Sequence, residues 1–430
     1  MENRVCIIGL GYVGMTLAMH MVRKGYEVHG IETNETTYDK ISKGETHFHE
    51  PGLEEILKLS LGDKFKIFKK VQIDKSYDFI ILTVGTPLKD QEKSPDLEIF
   101  ENAISSIYPI ITENNLTIFR STIPVGLTRK ALEKIKINTG LSEINISFCP
   151  ERTAEGKALE ELQSLPQIIS GNSLKALEKS RNFFETLTDE VIISNSLEEA
   201  ELIKLFNNTY RDAIFALSNT FNQIAQDFNI DGFSSIEKSN YNYLRSDIPA
   251  PGFVAGPCLE KDAYILASEM KEGDLKEFIL SIRKANEGME KRFAKKISDF
   301  IKADKKTKIL ISGLAFKGVP QTNDLRGSSG IKIVNMLDEY KDNITLHDFM
   351  NQKKDLEKHT ELPAINSEDI FLNNSDFDLI IILNNHPRYK TQKLRDYVGT
   401  QIKKGTKIID SWGIMDLEEM HSLSNFFMES

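Results

Sequence analysis

Apolar residues follow two alternating textures along this chain. Through the first 195 residues, short β-branched runs stand between helical stretches: Arg4–Gly9, Glu27–Glu32, Phe79–Val84, Leu116–Thr122, Asn145–Glu151, Gln167–Gly171 and Glu190–Ser194. Strands alternating with helices predict a largely parallel sheet covered on both faces. The texture then changes. Ser196-Leu-Glu-Glu199 reads as a capping box, in which the serine side chain and Glu199 satisfy each other's backbone N–H groups. From there to Asn229 there is no Pro or Gly, and Ile203, Phe206, Tyr210, Ile214, Leu217, Phe221, Ile224 and Phe228 recur every three or four residues. That spacing predicts one helix of about thirty residues with a wide apolar face. It is too long for a crossover and reads as a spine, whose face could bury against a second copy. From Lys308 the alternation returns in Ile309–Gly313, Ile344–Asp348, Leu379–Asn384 and Lys407–Asp410. The expected domains are therefore 1–195, α/β; 196–300, helical; and 301–430, a smaller α/β region. KADKKTK at 302–308 reads as a solvated turn before the last.

Composition narrows the class. The 430 residues are 40% hydrophobic and 27% charged, which is ordinary for a globular protein, and the net charge is −10. Nucleic-acid and membrane-surface binders favour a basic face, so neither partner is expected; a local basic pocket for a small anion remains open. No apolar run reaches the ~18–20 residues of a membrane-spanning helix. The opening MENRVCIIGLGYVG has none of the layout of a signal peptide. Cys6, Cys149 and Cys258 are few and far apart, forming neither a disulfide framework nor a zinc site, so a reducing cytoplasm is expected. His47 and His49 lie close together in THFHEPG, but no other ligand cluster supports them, and no metal is expected.

Chemistry enters at the first strand. Gly9-Leu-Gly11-Tyr12-Val13-Gly14 follows it directly and opens a helix. Gly9 permits the tight turn, Gly11 lets the backbone approach a pyrophosphate, and Gly14 lets the helix pack on the strand. N–H groups at the helix start then face the anion. Glu32, at the end of the second strand, suits ribose hydroxyls and repels a 2′-phosphate, favouring NAD over NADP. Thr83-Val84-Gly85-Thr86-Pro87 would line the same crevice, although alone it could be merely a turn. The fold class expected is α/β, two Rossmann-like domains joined by a central helical domain with a long spine helix.

Two further constellations stand out. Gly256-Pro257-Cys258-Leu259-Glu260-Lys261-Asp262, preceded by Ala250-Pro251-Gly252, places a cysteine in an open loop beside a lysine that favours the thiolate. The bland reading is a small buried hydrophobe, as most unpaired cysteines are. Lys204, Asn208 and Arg211 share one face of the spine. The bland reading there is solvated charge; the sharper one is a face that binds an oxyanion.

Taken in order, the motifs resemble the UDP-glucose/GDP-mannose dehydrogenase family nearly end to end. They are GLGYVG at 9–14, EPGL at 50–53, VGTP at 84–87, STIPVG at 121–126, CPERTAEGKA at 149–158, KLFNNTYRD at 204–212, GPCLEKD at 256–262 and GLAFKGVPQTNDLR at 313–326. The resemblance implies an enzyme that uses NAD to oxidise a nucleotide-sugar C6 alcohol to an aldehyde. Cys258 then captures the aldehyde as a thiohemiacetal, a second oxidation gives a thioester, and water releases the uronic acid. It implies Lys204 and Asn208 at the C6 oxyanion, Asp262 orienting water, and Thr122 with Glu155 completing the water site. It implies a cofactor site of Gly9, Gly11, Tyr12, Val13, Gly14, Glu32, Val84, Gly85, Thr86, Thr122, Glu155, Lys261 and Arg326. The implied substrate site is Glu151, Lys204, Asn208, Arg211, Gly252, Phe253, Gly256 and Lys317, with Arg245 sent into a partner subunit. A UDP-sugar and a homodimer through the central helix are the partners implied.

The chain departs from the family in Val-Ala-Gly-Pro before the cysteine, in Glu260 before Lys261, and in Asn219-Thr220 where Asn-Glu is usual. Asn208-Thr-Tyr-Arg211-Asp212 looks more like the branch acting on UDP-N-acetylhexosamines, especially UDP-N-acetylmannosamine, than like the UDP-glucose or GDP-mannose branches. Two rivals remain. A two-electron dehydrogenase of the 6-phosphogluconate type would need the Lys–Asn pair but no cysteine. An NAD-binding scaffold would need no reacting groups at all.

Overall fold

Val, Ile and Phe dominate the strand runs because a parallel sheet is buried on both faces, so both alternate positions favour apolar residues, and the polar ones that occur there, such as His29, Ser147 and His347, are hydrogen-bonded. The computed structural model describes residues 4–89, 93–302, 306–371 and 377–415. The first sheet contains β1 (Arg4–Ile8), β2 (Glu27–Ile31), β3 (Phe65–Phe68), β4 (Phe79–Leu82), β5 (Leu116–Phe119) and β6 (Asn145–Phe148). All are parallel, in the order β3-β2-β1-β4-β5-β6. Successive residues feed opposite cores: Val5, Ile7, Ile81 and Ile118 pack on one side, and Cys6, Ile8, Ile80 and Phe119 on the other.

Two features depart from the expectation. The β3 segment reads Lys64-Phe-Lys-Ile-Phe-Lys-Lys70, too short and too charged to announce a strand. It forms at the sheet edge, where Lys66 reaches the Glu27 carboxylate at 3.1 Å. The sixth and seventh runs, β7 (Gln167–Ile169) and β8 (Val191–Ile193), do not extend the main sheet but pair with each other. A second sheet holds β9 (Ile309–Ser312), β10 (Ile344–His347), β11 (Leu379–Ile382) and β12 (Lys407–Asp410), parallel in the order β10-β9-β11-β12. The turn expected at 302–308 lies partly outside the described residues, which omit 303–305.

The spine forms as one helix, Leu197–Asp227, of 31 residues. Ser196 caps it by accepting from the Glu199 N–H at 3.1 Å. The return bond differs from a capping box: the Glu199 carboxylate takes the Asn195 N–H at 2.5 Å and the Ser194 hydroxyl at 2.8 Å. Phe206, Tyr210, Leu217, Phe221, Ile224 and Phe228 are between 42% and 72% exposed, while Ile203 packs on the core of the first sheet.

The chain divides into two compact units, residues 1–208 with 264–271 and residues 209–263 with 272–430. Each carries one of the two main sheets. The boundary thus falls inside the spine helix, whereas the sequence texture changes at its start. Among the described residues no helix is long and apolar enough to cross a membrane.

Candidate active site

In the first unit, the strand order reverses beside β1, with β2 on one flank and β4 on the other. This opens a crevice at the carboxyl ends of β1 and β4. Gly9 turns the chain there with φ +90°, a conformation that disfavours any side chain. A Cβ on Gly14 would lie 2.0 Å from the Gly9 carbonyl oxygen and 2.6 Å from the Thr83 hydroxyl, so the first helix (Tyr12–Arg23) packs onto the turn only because residue 14 is glycine. A Cβ on Gly11 would meet nothing within 4 Å: the space over that backbone is open.

The Glu32 carboxylate stands at the same turn, accepting from the Leu10 N–H at 3.0 Å and the Asn34 N–H at 2.8 Å. Val84 packs against Gly9, and the Thr83 hydroxyl donates to the Gly9 carbonyl at 2.7 Å. The Thr86 hydroxyl donates to the Thr122 carbonyl at 2.5 Å. Thr83 and Thr86 thereby stitch together the loops that follow β1, β4 and β5. Open space at Gly11, the first N–H groups of a helix and a carboxylate after β2 fit a dinucleotide.

Tyr12 does not simply line that turn. Its phenol donates to Glu50 at 2.5 Å, and the Gly156 N–H reaches Glu50 at 2.8 Å and Tyr12 at 3.0 Å. Burial first, then Glu50, holds the phenol well above its ordinary range, and Glu155 adds to the effect, which puts Glu155 within electrostatic reach of Tyr12. The loop with Glu155 is thus tied to the start of the first helix.

Glu151 is buried, and its carboxylate binds the Arg120 guanidinium and the N–H groups of Arg152 and Thr153, both at 2.8 Å. Burial pushes this carboxyl up, but Arg120 and the backbone bonds outweigh it and hold it below the ordinary value, with Lys204 acting in the same direction. The expected sugar contact therefore has its carboxylate already engaged inside the unit, with the Lys204 ammonium in reach of its field.

Along the spine, Lys204 is half-buried, Asn208 buried and Arg211 exposed. Three residues before Lys204, buried Glu201 accepts from the Gly126 N–H at 2.5 Å and the Thr128 N–H at 2.9 Å. It holds the end of the loop that carries Thr122 and caps the helix Leu127–Thr139.

In the second unit, Cys258 is exposed, whereas Cys6 and Cys149 are buried. It immediately precedes the helix Leu259–Ser268, and its carbonyl accepts from the N–H groups of Lys261 at 3.2 Å and Asp262 at 3.1 Å. The sulfur thus stands at a helix N-terminus, where the partial positive charge favours a thiolate. Lys261 lies 3.4 Å from the Asp262 carboxylate, which is 1% exposed.

The segment before the cysteine is held closely. Asn219 grips both backbone groups of Gly252, each at 2.9 Å. A Cβ on Gly252 would come within 2.5 Å of the Trp412 ring, and one on Gly256, where φ is +100°, within 2.6 Å of Phe316. The Gly256 N–H donates to the Gly327 carbonyl at 3.2 Å. The cysteine segment therefore runs against the loops that follow β9 and β12. Lys317 sits there with its ammonium 5.3 Å from the Phe316 ring centroid. Glu260, the unusual residue, pairs with Lys332, whose ammonium is also 3.5 Å from Glu290.

Three further implied contacts have side-chain partners of their own within the unit. The Phe253 ring is buried in the core against Phe293, 5.2 Å between centroids. Arg326 forks onto Asp324 at 2.9 and 2.6 Å. Arg245 is exposed and lies over the Tyr243 ring at 4.9 Å.

Comparison with known proteins decides the family. Models of the UDP-glucose/GDP-mannose dehydrogenase family match three stretches: the NAD binding domain at residues 3–188, the central domain at 198–288 and the UDP binding domain at 310–417. The UDP-N-acetyl-D-mannosamine dehydrogenase of Pyrococcus horikoshii is 32% identical over 400 residues, covering 90% of each chain. That of Methanococcus vannielii is 30% identical over 422 residues, covering 96% of this chain and 93% of the relative. A solved structure of a UDP-D-ManNAc dehydrogenase from P. horikoshii superposes with a TM-score of 0.82 at 27% identity, covering 99% of this chain and 100% of that one.

The chain belongs to the UDP-glucose/GDP-mannose dehydrogenase family.

It is an NAD-dependent nucleotide-sugar dehydrogenase, and its two parallel α/β regions are the NAD-binding and UDP-binding parts of that family. Sequence reasoning missed Glu50, Arg120 and Glu201, whose side chains hold the loops described above. Glu50 stands in the EPGL motif, which was a usable signal; nothing marks the others apart from their partners far along the chain.

Proposed function

We propose that the enzyme oxidises the C6 alcohol of UDP-N-acetylmannosamine to the carboxylate, with Cys258 holding the carbon covalently between the two oxidations. One observation carries the covalent part: the exposed cysteine sits at a helix N-terminus in a segment whose backbone is fixed on both sides. Relatives that bear the UDP-N-acetyl-D-mannosamine dehydrogenase name support the substrate, along with Arg211 on the spine.

Bound NAD, held at Gly9–Gly14, Glu32, the 84–86 loop, Thr122, Glu155, Lys261 and Arg326, supplies the hydride acceptor for each oxidation. Lys204 and Asn208 stabilise the C6 oxyanion as charge develops on it. The Cys258 thiolate adds to the aldehyde carbon, forming a C–S bond while the carbonyl oxygen takes a proton. Loss of a second hydride and that proton leaves the thioester. Asp262, with Thr122 and Glu155, orients the water that adds to the carbonyl, and the C–S bond breaks to return the thiol and release the acid. Gly252, the Phe253 backbone, Gly256, Lys317 and Arg211 bind the nucleotide sugar, with Glu151 at its border.

The reading divides the chain into a cofactor region at 1–195, a helical region at 196–300 and a nucleotide-sugar region at 301–430. The family models support this division. It also makes the enzyme a cytoplasmic homodimer, joined through the exposed apolar stripe of the spine, with Arg245 reaching the partner's site. A monomer rarely leaves so long an apolar row in water.

The test is a panel of UDP-N-acetylmannosamine, UDP-N-acetylglucosamine, UDP-N-acetylgalactosamine, UDP-glucose and GDP-mannose, each with NAD. The highest kcat/KM for the first, with two NADH per sugar, is expected. A preference for UDP-glucose would overturn the substrate, and one NADH per sugar the covalent route.

A further inference from the structure

Arg283 and Asn286 lie one turn apart on the helix Asp274–Ile301 and are 1% and 3% exposed. A buried guanidinium in the middle of a helix is costly unless charged and polar partners surround it. Arg283 has two. One is Asp212 of the spine, also 1% exposed, at 2.7 Å; the other is the Leu259 carbonyl, one residue past Cys258, at 3.1 Å. Asn286 donates to the Asp212 carboxylate at 2.8 Å, and its own carbonyl accepts from Asn219 at 3.2 Å. Asn219 in turn holds both backbone groups of Gly252, each at 2.9 Å.

One helical turn therefore grips both ends of the segment 252–259. Asn219 and Asp212, seven residues apart on the spine, form the opposing jaw. The guanidinium thus joins its charge partner on the spine to the backbone of the residue next to the nucleophile.

We propose that Arg283, charge-matched by Asp212, is a positioning residue for Cys258. Through the Leu259 carbonyl it fixes the first turn of the cysteine helix and so the direction of the sulfur. Asn286 and Asn219 fix the other end of the segment. The inference rests on Cys258 being the nucleophile. Its consequence is specific to the second half of the reaction, since the first oxidation needs Lys204 and Asn208 but no sulfur. A loosened segment slows capture of the aldehyde and lets it escape.

Cys258 is the only exposed cysteine of the three, so iodoacetamide alkylation of the native enzyme reports on it alone. Two variants test the grip. The double variant Asp212→Asn/Arg283→Gln removes both charges together, and Asn219→Ala leaves the ion pair intact and releases Gly252. In each, kcat for acid formation should fall on the order of 10- to 100-fold; in the double variant, which leaves the Asn219 grip on Gly252 in place, KM for the nucleotide sugar should change less than about twofold. Aldehyde trapped by hydroxylamine should rise, NADH per acid formed should exceed two, and the pH midpoint of alkylation should move upward.

Wild-type alkylation profiles and wild-type NADH stoichiometry in folded variants overturn the proposal; if the double variant does not fold, Arg283→Lys, which keeps the charge beside Asp212 but removes the guanidinium fork that reaches the Leu259 carbonyl, decides in its place by the same two readouts. Cys258→Ser, run in parallel, separates the two levels. Two NADH per sugar from that variant overturn the cysteine's role itself, whereas loss of acid in Cys258→Ser with unaffected grip variants overturns only the positioning.

Discussion

Gly11 and Gly14 sit three residues apart, and alanine at each should produce opposite signatures. At Gly14 the added methyl would lie 2.0 Å from a backbone oxygen and 2.6 Å from Thr83, neither of which can swing away cheaply. Overpacking of this kind costs about 1–3 kcal/mol, and contact with backbone places it at the upper end. For a unit of this size that lowers Tm by about 6–12 °C. At Gly11 the methyl meets no protein atom within 4 Å, and φ −63° with ψ −167° is open to any residue. The entropy gained by removing a glycine and the poorer capping by alanine nearly cancel, so stability should change by less than about 0.5 kcal/mol. The open space is the one a pyrophosphate would enter. Gly11→Ala should therefore weaken NADH binding by at least about tenfold, or ~1.4 kcal/mol, in a fold as stable as the wild type. Fluorescence titration with NADH and calorimetry on the two variants read both quantities. Wild-type NADH affinity in Gly11→Ala would refute the cradle, and an unchanged Tm in Gly14→Ala would refute the packing argument.

Acid should act through His386, which is 3% exposed and held by burial at about 4 against an ordinary 6.5. The unfolded chain then takes up the proton first, so stability is complete above about pH 6.5, declines through the window to about pH 4, and levels off below it. The full difference is ~3 kcal/mol. Buried His347 is lowered in the same direction, so His386→Gln should flatten the pH dependence of urea unfolding without abolishing it; an unchanged slope would refute the assignment. Phe221→Glu places a charge on the exposed stripe of the spine and should convert a dimer to a monomer by light scattering. A monomeric wild type, or a variant that remains dimeric, would contradict the homodimer.

The sequence was most legible where burial on both faces forces a continuous apolar run, as at Ile7–Ile8 or Ile380–Ile382, and where glycines mark a backbone approach. The spine was legible because a three-and-four spacing over its length has no other reading. β3 was not, because an edge strand of four residues, flanked by lysines and interrupted by one, shows neither an apolar run nor a clear alternation. Around the site, the glycine turn and the cysteine loop were visible, since small and rigid residues cluster there. The polar residues that hold them were not. Arg283 stands in Ile282-Arg-Lys-Ala-Asn286, indistinguishable from a solvated helix face until Asp212, far back along the chain, is brought beside it. Glu201 and Glu151 pose the same difficulty: a carboxylate's burial depends on partners that no local pattern records. The motif resemblance named Phe253 and Arg326 by their loops, but side-chain direction depends on packing, which put one in the core and the other on Asp324.

Rapid-quench mass spectrometry of the enzyme with UDP-N-acetylmannosamine and NAD reads the covalent step most directly. The peptide bearing Cys258 should carry the nucleotide sugar less two hydrogens, the thiohemiacetal, or less four, the thioester. The adduct should appear and decay at the rate of turnover and vanish in Cys258→Ser. Acid formed at the wild-type rate by Cys258→Ser, with no adduct on that peptide, would contradict the mechanism.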